Sequence, residues 1–518
     1  MSDAPLKQVV FVPAPSWGHL RPAIKTSLRM VEKFQDLFIS LFVYHSEANK
    51  AAKYLDSQTF AYSNRVRIVT ASASESTVSP ASPAETILYL EQHFKSWITR
   101  ELQQATITQV EGRSIGNLSW IIEDLFNGGV SLACKDVHKL PIAAWWTTTA
   151  ASLIRQVIFN TTITPSLTQV IVNKGTRKMA MGGGLSGTPL NFLKNIPLQE
   201  LSNRLVCIPG MPAHHEWELA TQYFPFMPPL VVRMMRRREN MIKHVNTIVC
   251  CTTFEMEPIA ATALPSALNE PITPFFIGPA VDPVTPHQPD SDSPVTQFLD
   301  RAHADKGPHS VIYVAFGTAF FPLSSSMSHL ITILDEISAH GYRFIFALPS
   351  ARAKQLDQPW MDAHVQAGNA IFPEWTNQTA VLEHPAIHYF LSHGGWSSST
   401  EALVRGIPMI FWPFVSDQPM NTMQLATVHN CGFELLQVRT GPAKSTAYQN
   451  GKEVKIVGTD IAVREEMKQI LELSKGPRGE HQRMNAGLLG EVITDSLGPG
   501  GSGDLGLEKF GKELGLVQ

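Results

Sequence analysis

The chain has 518 residues, of which 44% are hydrophobic and 17% charged, and its formal net charge is −3. A chain of this length is expected to form two domains, and its near-neutral charge gives no sign of a nucleic-acid-binding surface. No apolar run approaches the roughly 18 residues of a membrane span, and five scattered cysteines favour free thiols in a reducing, cytoplasmic compartment.

Short apolar runs alternate with helical patterns through the first half of the chain. The amino terminus leads directly into the first run, so no signal peptide is expected. Pro22 suits the first turn of a helix that ends near residue 29, and a second helix is predicted over 84–107. Strands are predicted at 8–12, 37–43, 66–69, 120–122, 142–146, 248–252 and 274–277. This alternation predicts a parallel sheet covered by helices on both faces.

The alternation fails between about residues 161 and 246. A G-x-G-x-x-G pattern at 182–187 has no strand before it and predicts a loop, not a dinucleotide site. The basic run 233–238 is interpreted as an exposed helix face, although contact with a membrane surface or an acidic acceptor stays open. Residues 281–294 are rich in proline and aspartate and predict a linker, and Asp290-Ser291-Asp292 within it is interpreted as solvated, not as a metal site.

A second alternating series follows the linker. Strands are predicted at 311–316, 343–348, 386–391, 407–412 and 433–436, with a helix over 324–340. A Gly-rich joint at 497–503 precedes a closing helix over 504–516. Two doubly wound domains are therefore predicted.

Residues 375–421 hold the densest set of reactive side chains. The strand at 386–391 stops at Ser392-His393-Gly394-Gly395, whose glycines allow a tight turn against a ligand. Ser398 and Glu401 have the spacing of a capping box, and Gly406 is placed to end the helix. A helix amino terminus behind a Gly turn suits a phosphate, and His393 can add a donor.

This stretch resembles the donor-binding signature of the UDP-dependent glycosyltransferases that act on small molecules, of the soluble plant and fungal kind. The matching residues are Trp375, Gln378, Leu382, His384, His393, Gly395, Trp396, Ser398, Glu401, Gly406, Pro408, Asp417, Gln418 and Asn421. The resemblance implies the α/β GT-B architecture, in which two Rossmann-like domains face each other across a cleft. It implies an acceptor domain over 1–280, whose irregular stretch 161–246 shapes the acceptor pocket, a linker over 281–294, a donor domain over 295–496, and a segment over 497–518 that docks back.

The resemblance also implies roles in donor binding. Trp375 would stack on the uracil beside Gln378, although an ordinary surface aromatic is the alternative. His393 and Ser398 would contact the diphosphate, whereas His393 alone could equally be a core histidine. Glu401 is either a capping-box partner or, as the resemblance implies, an acceptor for the ribose hydroxyls.

The remaining donor residues follow from the same resemblance. Asp417 and Gln418 would bond sugar hydroxyls, and glutamine at this position favours glucose. Trp396 would contact the sugar or hold the turn, and Thr318 would lie near the phosphates. Three residues depart from the family pattern, namely Asn377 for proline, Gly394 for cysteine and Ser397 for asparagine. Ser397 leaves the donor affinity open, because its hydroxyl is shorter than an amide.

Sugar transfer to an alcohol also needs a base, and histidine is best matched to neutral pH. His19 follows the first strand in S-W-G-H, where a loop histidine is the alternative; the resemblance implies that it is the base. Asp124 would orient it, with neighbouring Glu123, or no carboxylate, as alternatives. Candidates for lining the acceptor pocket are Trp17, Phe94, Trp145, Phe224, Phe226 and Met227.

We therefore predict an inverting UDP-sugar glycosyltransferase, most consistent with glucose, that acts on a small, largely apolar hydroxyl compound without a metal. A monomer is expected. A UDP-sugar epimerase of the same architecture is a second hypothesis, and it would need no acceptor. A non-catalytic UDP-sugar-binding subunit is a third, against which the presence of both His19 and Asp124 counts.

Overall fold

The computed structural model describes residues 4–58, 63–70, 83–103, 109–158, 205–224, 234, 237–268, 271–282 and 293–516. They belong to two compact units. The first unit lies within Met1–Ile196, Pro225–Ala280 and Ser496–Gln518, and the second within Pro197–Phe224 and Val281–Asp495. Each unit contains a parallel sheet accompanied by helices, which confirms the predicted α/β class.

The strands of the described residues are numbered along the chain. They are β1 Leu6–Val12, β2 Leu37–Phe42, β3 Val66–Val69, β4 Gln109–Val110, β5 Arg113–Asp124, β6 Ile142–Trp146, β7 Leu205–Val206, β8 His214–His215, β9 Thr247–Cys250, β10 Thr273–Phe276, β11 Val311–Ala315, β12 Arg343–Phe346, β13 Ala370–Ile371, β14 Ile387–Ser392, β15 Met409–Phe411, β16 Gly432–Glu434, β17 Thr446–Gln449 and β18 Lys452–Lys455.

The α-helices are numbered in the same way. They are α1 Trp17–Lys33, α2 His45–Asp56, α3 Pro83–Gln103, α4 Ala150–Ile158, α5 Pro258–Ala267, α6 Pro294–Lys306, α7 Met327–Ala339, α8 Ser350–Ala353, α9 Gln358–Gln366, α10 Gln378–Glu383, α11 Trp396–Leu403, α12 Gln418–Thr422, α13 Asp460–Ser474, α14 Pro477–Leu497 and α15 Ser502–Glu513. A π-helical turn, Met423–Val428, continues α12.

The sheet of the first unit has the strand order β10-β9-β6-β5-β1-β2-β3, and each of these neighbours is parallel. The short β4 pairs antiparallel with β5. The sheet of the second unit has the order β13-β12-β11-β14-β15-β16, again with parallel neighbours. The strand order reverses direction between β1 and β5 in one sheet and between β11 and β14 in the other. Such switch points are where open α/β sheets bind ligands, beyond the carboxyl ends of their strands.

The core of the first unit includes the closing helix. Leu507 and Phe510 of α15, and Leu514 directly after it, are buried in the same apolar cluster as Phe11 and Trp145 of the sheet. The Phe510 and Phe275 rings lie 5.8 Å apart. Lys33 of α1 donates to Asp504 at 2.7 Å. The carboxyl-terminal helix therefore packs on the first unit.

Two features of the units differ from the sequence-based expectation. Helix α1 begins at Trp17, so Pro22 lies inside it and not in its first turn. The helix thereby lacks one internal hydrogen bond, because proline has no N–H. In the second unit the hairpin β17–β18 is absent from the prediction, because its residues alternate only weakly between apolar and polar.

Residues 205–224 belong to the second unit, although the sequence predicts them to be part of the first domain. The Trp217 indole donates to the Thr446 carbonyl at 2.9 Å. Arg439 is 2% exposed and lies between two carboxylates, at 2.8 Å from Glu218 and 2.7 Å from Glu434. Buried charges need such partners, so this ion triad joins the segment to the end of β16.

Arg439→Met should lower the free energy of unfolding of the second unit by about 3–5 kcal/mol, because two buried carboxylates would lose their cation. Urea denaturation followed by tryptophan fluorescence measures this loss. Lys512→Met is the control: Lys512 is 67% exposed beside Glu508, and its loss should cost less than about 0.5 kcal/mol. A loss below about 1 kcal/mol for Arg439→Met would contradict the structural role of the triad.

Candidate active site

His19 and Asp124 meet at the switch point of the first sheet. His19 lies in the first turn of α1, just after β1, and Asp124 ends β5. The His19 Nδ1 atom is 2.7 Å from Asp124 Oδ2, which also accepts from the Ala14 N–H at 3.1 Å. The other carboxylate oxygen accepts from the Phe126 N–H at 2.9 Å. The predicted pairing of His19 with Asp124 is thus present in the structure.

The environment of the pair suits a histidine base. Asp124 has no exposed surface, whereas the side chain of His19 is 19% exposed. The Asp124 carboxylate accepts from two backbone N–H groups, and it also accepts from the Nδ1–H of the His19 imidazole. In that tautomer the lone pair is on Nε2, which can accept a proton.

Glu123 has a different role from the adjacent Asp124. Its carboxylate accepts from the Ser131 N–H at 3.0 Å, and also from the Val130 N–H and the Ser131 hydroxyl. Burial raises the pKa of this carboxyl group to about 7. Adjacent residues of a strand face opposite sides of the sheet, so Glu123 organises the loop at Val130 and Ser131 and does not contact His19 in the way Asp124 does.

Phe126 packs against the pair, and two arginines bond the loop that follows Asp124. The Phe126 ring meets the His19 ring edge-on at 4.6 Å and stacks on Trp146 at 4.9 Å. The Arg238 guanidinium lies 4.6 Å from the Phe126 ring and donates to the Leu125 carbonyl. The sequence-based interpretation of residues 233–238 as an exposed helix face is wrong for Arg238. It is also wrong for Arg237, which donates to the Gly128 carbonyl at 2.9 Å. Both arginines hold the loop that follows Asp124. Residues 233, 235 and 236 lie outside the described part of the chain.

His393 lies at the switch point of the second sheet. It follows β14, and its ring packs against Gly317 after β11, where an added Cβ would be 2.9 Å from the imidazole. Burial lowers the pKa of His393 to about 4, so the ring is neutral. Among the described residues its buried Nδ1 has no hydrogen-bond partner. The N–H of a neutral imidazole can donate to an anionic oxygen. Thr318, on the same loop as Gly317, is exposed.

A second set of donor-site candidates surrounds the amino end of α10. The Gln378 amide donates to Glu401 at 2.8 Å and lies 3.3 Å from the Ser398 hydroxyl. The Tyr313 hydroxyl lies 2.8 Å from that of Thr376, a contact that the sequence does not reveal. Trp375 is 76% exposed, which leaves its ring available for stacking.

Asn377, where the family pattern has proline, caps α10. Its side-chain oxygen accepts from the Ala380 N–H at 3.4 Å and from the Thr379 hydroxyl at 2.8 Å. The departure therefore has a local structural reason, since asparagine is a favoured N-cap residue.

The capping-box interpretation of Glu401 is wrong. Helix α11 begins at Trp396 with Gly395 as its N-cap, so Ser398 is the third helical residue and cannot cap it. Ser397 is the second, and both serines are partly exposed. The first N–H groups of any helix lack internal acceptors, and here they follow the Gly turn beside His393.

Gly406 ends α11 as predicted. It has a φ of 65°, its N–H donates to the Leu403 carbonyl at 2.8 Å, and the Ile407 N–H donates to the Ala402 carbonyl at 3.0 Å. These two bonds define a Schellman motif.

Asp417 and Gln418 follow β15. Asp417 accepts from the Asn421 amide at 2.7 Å, and that amide also donates to the Gly394 carbonyl at 3.0 Å. The side-chain oxygen Oε1 of Gln418 accepts from the backbone N–H groups of Phe414 and Val415. Any contact of Gln418 with a sugar would therefore be made by its amide nitrogen, as a donor.

The residues predicted to line the acceptor pocket differ in their surroundings. Phe94 and Trp145 have no exposed surface and are core residues, because each packs against a sheet phenylalanine. Phe224 is buried in the second unit against Phe320 and Phe414. Trp17 is partly exposed, with Tyr54 at 5.4 Å and the Lys50 ammonium at 4.1 Å from its ring. Phe226 and Met227 lie outside the described residues, as do the patterns at 182–187 and 290–292.

Neither a metal-binding cluster nor a membrane-spanning helix occurs in the described part of the chain. These residues contain no group of three or more His, Cys, Asp or Glu side chains arranged to hold a metal ion. They also contain no helix that combines the length and the apolar character needed to cross a bilayer.

Comparison with known proteins gives consistent matches. Residues 266–441 match the family model described as UDP-glucoronosyl and UDP-glucosyl transferase. The UDP-glycosyltransferase eriJ of Hericium erinaceus is 25% identical over 503 residues, which is 93% of each chain. UDP-glycosyltransferase 74C1 of Arabidopsis thaliana is 26% identical and covers 61% of this chain and 66% of its own.

A solved structure shows the same fold. UGT71G1 of Medicago truncatula, in complex with UDP-glucose, aligns with a TM-score of 0.68 at 17% identity and covers 98% of both chains. At this identity the likeness concerns the fold, and it confirms the GT-B class.

The low pKa of His393 has a consequence for stability. The folded-state pKa of about 4 lies below the ordinary 6.5, so folding favours the neutral ring. The contribution of neutral His393 to the free energy of unfolding is fully present above pH 6.5 and is lost as the pH falls toward 4. Between pH 7 and 5, the free energy of unfolding should fall by about 1–2 kcal/mol more in the unmodified protein than in His393→Gln. Denaturant titrations at each pH measure the difference.

His481→Gln is the matched control, because His481 is exposed. Its curve should follow that of the unmodified protein. A His393→Gln curve that also ran parallel to it would contradict the neutral, partly buried state of His393.

Proposed function

The chain belongs to the family of UDP-dependent glycosyltransferases, and on that premise we propose that it transfers glucose from UDP-glucose to a hydroxyl group of a small, largely apolar acceptor, with inversion at the anomeric carbon. The observation that carries the mechanism is the 2.7 Å contact between His19 and the buried Asp124 at the ligand-binding edge of the first sheet. This pair favours transfer over epimerisation of the sugar nucleotide, which requires no acceptor hydroxyl to be deprotonated.

His19 is the general base in this proposal. Its Nε2 takes the proton of the acceptor hydroxyl while the acceptor oxygen forms a bond to the anomeric carbon. The bond from that carbon to the diphosphate oxygen breaks in the same step, and UDP leaves with the bonding electrons. Asp124 holds the Nδ1–H side and stabilises the imidazolium that forms.

The second unit supplies the donor site. Trp375 stacks on the uracil, and Glu401, already bonded to Gln378, accepts from the ribose hydroxyls. The leaving diphosphate is stabilised by neutral His393 as a hydrogen-bond donor, by Ser398 and Thr318, and by the first N–H groups of α11. The Ser397 side chain is shorter than that of asparagine and therefore extends less far toward the phosphate. These groups supply the electrostatic stabilisation without a metal, and Trp396 supports the turn.

Asp417 and Gln418 bind the sugar in this proposal. The carboxylate accepts from hydroxyl groups of the sugar, and the amide nitrogen of Gln418 donates to one. We propose a monomeric, cytoplasmic enzyme. Its acceptor is a hydroxylated molecule with a large apolar surface. We assign contact with this acceptor to Trp17, because its side chain is partly exposed.

His19→Ala and Asp124→Asn should each lower kcat for sugar transfer by about 10²–10⁴-fold, because the base or its orienting carboxylate is lost. Transfer is measured as a sugar-sized mass gain of pooled hydroxylated acceptors incubated with UDP-glucose. Glu123→Gln is the matched control: it neutralises an adjacent buried carboxyl group that bonds Val130 and Ser131, and it should keep kcat within about threefold. Unchanged transfer by His19→Ala would refute the proposed base.

Trp375→Ala should raise the dissociation constant of UDP by roughly 5- to 100-fold, the cost of losing one base–aromatic stack. Trp375→Phe should restore most of the affinity. The thermal stability should not change, because the side chain is 76% exposed. Isothermal titration calorimetry measures the affinity, with Phe254→Ala as a control for loss of an exposed aromatic. Equal affinity in Trp375→Ala and the unmodified protein would remove Trp375 from the uracil site.

A further inference from the structure

The residues that follow β15 are held from two sides. We call residues 413–418 the β15 loop; it carries Asp417 and Gln418. Within the loop, the side-chain oxygen Oε1 of Gln418 accepts from the N–H groups of Phe414 at 3.0 Å and Val415 at 3.3 Å. The orientation of the Gln418 amide therefore depends on where the backbone of Phe414 and Val415 lies.

On its other side the β15 loop is bonded by Thr221. The Thr221 hydroxyl lies 2.6 Å from the Pro413 carbonyl and 2.9 Å from the Phe414 carbonyl, and it donates its one hydrogen to this pair of oxygens. The neighbouring Gln222 N–H donates to the Phe414 carbonyl at 3.0 Å. Thr221 and Gln222 are each 1% exposed, so these bonds are made without competing water.

Thr221 is itself fixed in place. Its carbonyl accepts from the Thr440 N–H at 2.9 Å, and the Gln222 amide donates to the Val438 carbonyl at 2.8 Å. Three residues before it, Glu218 forms the buried ion pair with Arg439. The segment is thus anchored on the chain that leaves β16, and it presents one hydroxyl to the β15 loop.

We propose that Thr221 is a positioning residue that sets the selectivity of the enzyme for the donor sugar. It holds the carbonyls of Pro413 and Phe414, and through Phe414 it fixes the carbonyl end of Gln418, so that the amide nitrogen is aimed at the sugar. The inference rests on the proposed function in one respect, namely that Asp417 and Gln418 contact the sugar. A segment expected to shape the acceptor pocket thereby serves donor recognition.

Thr221→Val tests the role, because valine matches threonine in shape and lacks the hydroxyl. The measurement is the ratio of kcat/KM for UDP-glucose to that for UDP-galactose, which differ in the orientation of one sugar hydroxyl. The ratio should move toward unity by roughly three- to tenfold, the effect of one lost hydrogen bond. The Kd of UDP should stay within about twofold, since the uracil and ribose contacts are untouched. Thr221→Ser keeps the hydroxyl and should restore the ratio.

Thr440→Val is the matched control. Its hydroxyl accepts from the Tyr223 N–H and contacts Gln222 in the same segment, but it does not bond the β15 loop. It should leave the ratio unchanged. If Thr221→Val does not fold, Thr221→Ala takes its place with the same expectation.

Gln418→Ala separates the two ways of failing. A ratio that changes in Gln418→Ala but not in Thr221→Val would overturn the role of Thr221 and leave the proposed function intact. A ratio that changes in neither would remove the β15 loop from sugar recognition, and the inference with it. Equal changes in Thr221→Val and Thr440→Val would reduce Thr221 to a purely structural residue.

Discussion

Asp124 is a carboxylate with no exposed surface, and the proposed chemistry depends on how its charge is compensated. Burying an ionised carboxylate is costly unless hydrogen bonds replace its water. Two backbone N–H groups and the His19 imidazole provide those bonds. The hydrogen bond from His19 that stabilises the charge also orients the histidine. The Nδ1–H must point at Asp124, so the lone pair of Nε2 points away from it. Glu123, one residue earlier, meets the requirement with a different loop and so leaves His19 to Asp124.

Strand order explains why the reactive groups gather where they do. The first strand of each sheet, β1 or β11, lies in its middle. The next two strands of that sheet in chain order are added on one side of it, and the later strands are added on the other side. The loops after the two central strands at the reversal therefore diverge and leave room for a ligand. In the first unit this point holds His19 and Asp124, and in the second it holds Gly317 and His393. One rule of parallel sheets thus accounts for the position of the proposed base and for that of the proposed diphosphate donor.

Much of this can be predicted from the sequence, because apolar strands and the spaced signature around His393 are local patterns. The resemblance also favours Asp124 as the partner of His19, although nothing local to either carboxylate distinguishes Asp124 from Glu123. The features that escape prediction depend on long-range contacts. Thr221 and Pro413 are 192 residues apart in the chain, and Arg439, which anchors the same segment, looks like any surface arginine in the sequence.

Two of the residues predicted to line the acceptor pocket are core residues, and they escape correct prediction for a related reason. Phe94 and Trp145 are aromatic residues near predicted ligand-binding edges, and aromatic side chains are common in pockets and in cores alike. Only the packing of their rings against sheet phenylalanines identifies both as core residues. Residue type alone therefore cannot separate the two environments.

The anomeric configuration of the product tests the central claim most directly. UDP-glucose carries an α-linked sugar, and a single displacement by an acceptor oxygen activated by His19 must give a β-glucoside. Proton NMR of the purified product distinguishes the two anomers by the coupling between the first two ring protons. The account predicts the large coupling of the β anomer, and formation of this product by His19→Ala that is slower by about 10²–10⁴-fold. An α-linked product would contradict the single displacement and the role assigned to His19.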